Sequence, residues 1–395
     1  MKKIIFIVCL LYCICSSAFA SPEMSFVYIN GSNNNDRKMK TWYETGIEKI
    51  HPVLKKKFEN SKDLKKYYKN ESITVKEKPV IFFWGYNSKK DLDYVKSQLE
   101  ITKAISSTGA YIVRNLIAQY LHDAIWVQKS HNMIPILDDL NDRIKLETNK
   151  GNDVVLYGYS AGTFVTYEYM FNKLRYINTS ELINESNLDE DIKNFVKNNP
   201  ANNTCLSAIS ANNGGLGAVS LKGDILINPN KDSFKQNYLK INDVTEMVCA
   251  PDKKVRGIVN YASPLVLFYS DIADTNYELN YYNKLMIKYI LENDIFMLTV
   301  NFKEDPLGFP TSSNLTLKEI ENILELPINN PSGIIYDNSS VWSKRFFPLA
   351  HTSYWSAKRT FSNAIVKTLA KGYRFNYDEK YQNKILKRHS KKSEL

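Results

Sequence analysis

From residue 154 to residue 174 the chain reads as a strand, a tight turn and a helix in direct succession. Val154-Val155-Leu156-Tyr157 is an apolar run, Gly158-Tyr159-Ser160-Ala161-Gly162 is a turn flanked by glycines, and Thr163 to Leu174 has helical character. A strand without polar alternation is buried on both faces, and strands of this kind separated by helices belong to a parallel sheet covered on both sides. The turn constrains chemistry as well as fold. A serine hydroxyl is a poor nucleophile until the backbone lifts it clear of its neighbours and a base takes its proton, and a sharp strand-to-helix turn does the lifting. Gly158 and Gly162 are expected to provide space, because a Cβ at either would collide with the adjacent strand or helix, and the backbone at Ser160 is expected to be strained. The pattern G-x-S-x-G also recurs by chance in glycine-punctuated loops, so it is the flanking strand and helix that make Ser160 the candidate nucleophile. The amino end of that helix points at the same place, which makes the Ala161 N–H a candidate donor to a developing oxyanion.

The alternation extends along the chain. Val27-Tyr28-Ile29 is a short strand that breaks at Asn30-Gly31-Ser32, Met39 to Phe58 has helical spacing, and Pro79 to Trp84 is a nearly continuous apolar strand ending at Gly85. Asp91 to Leu146 is helical throughout, with breaks expected near Gly109 and Pro135. Beyond the serine turn, Val255 to Tyr261 and Ile295 to Phe302 read as strands, Tyr277 to Leu291 as a helix, and Thr352 to Ala370 as a closing helix. The fold class is therefore α/β, a mainly parallel sheet with helices on both faces. Residues 176–254 interrupt the alternation and are rich in Asn, Lys and Glu; they are expected to form a cap or lid above the carboxyl ends of the strands, where ligands bind in such sheets.

Residues 1–20 read as an export signal, with Lys2-Lys3, an apolar core from Ile4 to Cys15 and Ala18-Phe19-Ala20 before Ser21. That apolar core is too short for a membrane anchor, and the mature chain is expected to be secreted or periplasmic. Export leaves Cys205 and Cys249 as the mature cysteines, and an oxidising compartment makes a disulfide between them the simplest expectation. The domain plan is one α/β domain over 21–375 carrying the cap at 176–254, then a basic tail over 376–395. The formal charge of +10 allows an anionic membrane surface as a partner, but nothing in the chain resembles a nucleic-acid-binding motif, and the spacing of Cys205 and Cys249 does not resemble a zinc site.

If Ser160 is the nucleophile on this topology, its acid and histidine come from loops after later strands, in the order serine, acid, histidine. Among the five histidines, His51, His122 and His131 precede the serine, and His389 lies in the basic tail. That leaves His351, held between an apolar approach, Phe346 to Ala350, and a helical segment. Asp305 follows directly on the strand ending at Phe302, where a carboxylate can reach the distal nitrogen of the imidazole and fix its tautomer. Glu304, Asp271 and Asp274 are its rivals.

The serine turn, the strand ending in Asn260-Tyr261-Ala262-Ser263-Pro264, the Asp305-Pro306 loop with Pro310 behind it, and His351 with Tyr354 three residues on resemble an α/β-hydrolase, with some likeness to the class 3 lipases. The departures are the absence of Leu-Gly-Gly after the serine, the absence of a His-Gly oxyanion loop, and the longer insertion before Val255. The resemblance implies a second oxyanion donor after an early strand. Strand order favours the Ser32 N–H beside Gly31, with Trp84-Gly85-Tyr86-Asn87 as the alternative. It also implies ester hydrolysis of a lipid or another acyl compound with no cofactor. A peptidase or thioesterase uses the same triad, and a non-catalytic binding protein can keep the same scaffold.

Overall fold

The computed structural model describes residues 23–32, 37–67, 73–103, 108–128, 130–171, 252, 254–267, 281–311, 315–325, 327–343 and 349–385. The residues read as an export signal, Cys205 and Cys249, nearly all of the 176–254 insertion, Asp271, Asp274 and His389 lie outside these residues.

Strands β1 (Met24–Ile29), β2 (Val80–Phe82), β3 (Asp153–Tyr159), β4 (Val255–Tyr261), β5 (Phe296–Phe302) and β6 (Ile334–Val341) form one six-stranded sheet in the order β2-β1-β3-β4-β5-β6. Every pairing in it is parallel. The helices are α1 (Arg37–Glu59), α2 (Lys62–Tyr67), α3 (Lys89–Lys103), α4 (Thr108–Val127), α5 (Ser130–Thr148), α6 (Gly162–Phe171), α7 (Tyr281–Glu292), α8 (Leu317–Leu324) and α9 (Lys358–Tyr377). The α/β class with a helix-covered parallel sheet is thus observed. Among the described residues no helix is long and apolar enough to cross a membrane.

Alternate residues of the unbroken apolar strands feed two separate cores. Val154, Leu156, Ile258 and Met297 pack with Ile136 and Leu140 of α5, Phe164 and Met170 of α6, and Ile287 and Ile290 of α7. Val155, Tyr157, Tyr159, Val259, Tyr261, Leu298 and Val300 pack on the other side with Tyr43, Ile47 and Leu54 of α1 and Phe361, Ile365 and Leu369 of α9. The period of two along each strand sends neighbouring side chains to opposite faces, and a cover of helices on each face turns both into core.

The strand order has one reversal. The chain leaves β1 through α1 towards β2 on one side, then returns and leaves β3 through α6 towards β4 on the other. Connections diverge above β1 and β3, and the carboxyl ends of strands at such a point are the usual ligand position in an open parallel sheet. The Asn30-Gly31-Ser32 and Ser160 turns lie there.

Three sequence expectations need correction. Pro135 does not break its helix. It lies in the second turn of α5 and removes a single hydrogen bond, while Met133, Ile136, Leu137, Leu140 and Ile144 bury the apolar side of the same helix. The closing helix starts at Lys358 and not at Thr352, because residues 351–357 are turns that present His351. In the segment read as a tail from 376, α9 ends at Tyr377, Asp378 is extended and 379–385 are again helical; Tyr381 and Ile385 pack against the α1/α9 core and Arg374 lies 4.5 Å from the centre of the Tyr381 ring. β6 and α8 were not anticipated. Asp337-Asn338-Ser339-Ser340 resembles a turn, and these residues become a strand because β5 offers them a hydrogen-bonding edge.

Candidate active site

β3 ends at Tyr159, and Ser160 adopts φ 50°, the left-handed conformation that a side-chain-bearing residue enters only under constraint. The constraint is visible in its hydrogen bonds. Ser160 N–H donates to the Tyr261 carbonyl of β4 at 3.1 Å, and Thr163 N–H caps the Ser160 carbonyl at 2.9 Å. Glycine is required on both sides, as expected. A Cβ on Gly162 would sit 2.5 Å from the Asn30 carbonyl oxygen and 2.7 Å from that of Ile29, and one on Gly158 would sit 2.9 Å from both Asn260 Oδ1 and Thr166 Oγ1.

His351 Nε2 lies 3.0 Å from Ser160 Oγ, and His351 Nδ1 lies 2.9 Å from Asp305 Oδ1. The carboxylate accepts from Nδ1–H, which leaves Nε2 with its lone pair directed at the serine hydroxyl. The Asp305 side chain is 0% exposed and that of His351 13%. The carboxylate is therefore dry, whereas the imidazole reaches solvent.

Asp305 stands just beyond β5 and is held on every side. Its Oδ1 also accepts the Leu307 N–H at 2.9 Å, and its Oδ2 accepts the Tyr354 hydroxyl at 2.8 Å. Tyr354 in turn accepts the Phe302 N–H at 3.0 Å. Burial, and after it the Asp305 charge, pushes the Tyr354 hydroxyl well above the ordinary phenol range, so it remains a donor. Asn301 ties the two neighbouring loops together, accepting the Ser263 N–H at 3.0 Å and donating to the Phe309 carbonyl at 2.8 Å.

The loop after β1 presses against the nucleophile. A Cβ on Gly31 would lie 2.8 Å from Ser160 Cβ and 2.9 Å from the Tyr159 carbonyl oxygen, so only glycine permits this approach. The alternative oxyanion loop has another role. Trp84 N–H donates to Asn30 Oδ1 at 3.0 Å and its indole N–H to the Asn30 carbonyl at 2.7 Å, which makes that loop a brace behind Asn30-Gly31. Of the two oxyanion candidates, the one placed against Ser160 is Gly31 with Ser32 following.

The residues set aside in the sequence lie elsewhere. His51 is buried on α1, where Nε2–H donates to the Lys76 carbonyl at 2.9 Å and Nδ1 accepts from the Tyr28 hydroxyl at 3.1 Å. His122 lies 3.3 Å from Asp123 on α4, and Glu304 accepts the Ser343 N–H at 2.9 Å. Among the described residues no group of three or more His, Cys, Asp or Glu side chains is placed to hold a metal ion. Asn30, Asn301 and the Tyr354 hydroxyl support the site without having been singled out for that role, and an asparagine at a strand end carries no signal that separates a brace from a turn.

The three side chains form one continuous donor–acceptor chain, from a dry carboxylate through an imidazole to a hydroxyl on a strained turn. That arrangement can move a proton off Ser160 and return it. Searches against protein-family models, curated proteins and solved structures found no match for the chain.

Proposed function

We propose that the chain is an exported serine hydrolase of the α/β-hydrolase type, acting on carboxylic esters of lipids or related acyl compounds. The observation that carries this reading is the Ser160–His351–Asp305 relay, with contacts of 3.0 and 2.9 Å. Ser160 Oγ attacks the acyl carbonyl while His351 Nε2 takes its proton, and Asp305 stabilises the resulting imidazolium. The tetrahedral oxyanion is held by the N–H groups of Ala161 and Ser32. The imidazolium then passes its proton to the departing alcohol, leaving an acyl-Ser160 ester. Water, deprotonated by His351, releases the acid and restores the enzyme.

Support for an apolar acyl group comes from the rim of the sheet. Leu267 after β4, Trp342 after β6 and Leu349 before His351 are 54%, 62% and 57% exposed. Lys303 Nζ stands 4.5 Å from the centre of the Trp342 ring, a pairing of cation and aromatic suited to the boundary of a lipid surface.

Hydrolysis of p-nitrophenyl esters of increasing acyl length tests the reading. Wild type should turn over with a preference among chain lengths, and Ser160→Ala should lose at least about a thousandfold in kcat. Wild type as inert as Ser160→Ala would remove the enzymatic claim, and flat dependence on chain length would remove its lipid part.

A further inference from the structure

Tyr159, the residue before the candidate nucleophile, touches the candidate base twice. Its hydroxyl donates to the His351 carbonyl at 3.0 Å, and its ring lies against the imidazole with centroids 5.5 Å apart and planes 28° from parallel. The ring is itself immobilised: Trp355 packs edge-on at 4.9 Å, Tyr261 at 5.3 Å, and Tyr43 stacks at 6.1 Å. Trp355 is seated in turn against Gly46 of α1, where a Cβ would come 2.8 Å from its ring.

We propose that Tyr159 is a positioning residue that sets the distance between base and nucleophile, an inference that rests on the hydrolase reading above. The physical problem it solves is specific to this fold. Ser160 is carried by β3 in the middle of the sheet, while His351 is carried by turns 351–357 that follow the edge strand β6, separated from it by 191 residues of chain. Asp305 fixes one nitrogen of the ring, but a single hydrogen bond leaves the imidazole free to pivot about it. Tyr159 supplies the missing restraints from the nucleophile's own strand. The hydroxyl holds the main chain of His351, and the ring face blocks rotation of the imidazole. Backbone strain at Ser160 and the placement of Nε2 are thereby coupled through adjacent residues, and displacement of a reacting group by about 1 Å is enough to cost on the order of a hundredfold in rate.

The test uses the full chain and a fluorophosphonate, which needs no knowledge of the natural substrate. Ser160 Oγ bonds to phosphorus, fluoride departs and the hydroxyl proton passes to His351 Nε2. Saturation kinetics separate the binding constant of the reagent from the rate of the covalent step. Tyr159→Phe keeps the ring and removes the tie, and should slow the covalent step about tenfold with binding unchanged. Tyr159→Leu removes both and should slow it about a hundredfold. Tyr43→Phe removes a buried hydroxyl from the same aromatic cluster, keeps its ring and does not touch His351, and should react within about twofold of wild type. A labelled wild type with Tyr159→Phe within twofold of it overturns the positioning role alone. A wild type that the reagent does not label at all overturns the hydrolase reading beneath it.

Discussion

Tyr354 donates its hydroxyl to Oδ2 of Asp305 at 2.8 Å, on the opposite side of the carboxylate from His351. The acid of the relay therefore has both oxygens engaged, and the same phenol anchors the end of β5 through the Phe302 N–H. Tyr354→Phe keeps the ring stacked on Phe302 at 4.2 Å and leaves one carboxylate oxygen and one backbone N–H without that partner. Ester turnover should fall about tenfold and stability by about 1–2 kcal/mol, measured by steady-state rates and urea unfolding. Unchanged values for both would show that the hydroxyl contributes nothing.

The strained turn should trade stability for reactivity. At φ 50°, Ser160 occupies a conformation open to glycine. Ser160→Gly should unfold at higher denaturant than Ser160→Ala by about 1 kcal/mol, although both lose activity. The reverse order in urea melts would mean that the turn is not under strain.

The two closest backbone approaches around the serine should respond differently to a single added methyl. In Gly162→Ala the new Cβ meets the Asn30 and Ile29 carbonyls, which belong to β1 and its end, so a loss of about 3 kcal/mol in stability is expected. In Gly31→Ala it meets Ser160 Cβ at 2.8 Å and the Tyr159 carbonyl oxygen at 2.9 Å, both longer than the contacts at Gly162 and one of them with the serine itself. Turnover should fall on the order of a hundredfold with a much smaller change in melting temperature. Equal melting temperatures for the two variants would contradict this division.

An ion cluster at the far end of the sheet should govern acid stability independently of activity. Buried Glu147 accepts from Lys76 at 2.8 Å, from Lys150 and from Asn152 at 3.1 Å each. Burial alone would raise its carboxyl, but Lys76, then Lys150 and Asn152, bring it down from 4.5 to about 2. A folded value below the unfolded one contributes stability above pH 4.5 that is lost as the pH falls towards 2. Glu147→Gln should lose on the order of 2 kcal/mol at pH 7 and show a flatter decline in that window, with triad chemistry intact, as followed by urea unfolding at stepped pH.

His51 should act in the same direction at milder pH. Burial pulls its imidazole below the ordinary 6.5, against the opposing pull of the Lys76 carbonyl. The unfolded chain then takes up the proton first, so the stabilising effect of neutral His51 is present above pH 6.5 and fades below it. His51→Gln should remove that portion of the pH dependence, and an unaltered stability profile between pH 7 and pH 5 would argue against it.

The parallel sheet was legible because short, mostly apolar runs such as 154–157 and 255–261 lack regular polar alternation and are separated by helical stretches, the pattern of strands buried on both faces. The serine turn was equally plain, since glycine, strand and helix signals coincide within a few residues. His351 and Asp305 emerged from chain order and elimination, which identify candidates but say nothing of distance. Local propensity erred where a partner element overrides it, as when the turn-forming residues 337–340 became strand against β5, or when the apolar side of α5 outweighed Pro135.

Residue type, spacing and chain order by themselves determined the α/β layering, the position of the sharp turn and three candidate side chains, because strand, turn and helix signals are written in near neighbours along the chain and the candidates follow from their order. Only the tertiary structure decided that those side chains meet, that Gly31 and not Gly85 lies against Ser160, and that Tyr159 contacts His351 and Tyr354 contacts Asp305. Each of these contacts joins residues brought together by strand order and packing across the sheet. No short-range pattern encodes a distance between loops whose separation is set by the whole hydrophobic core beneath them.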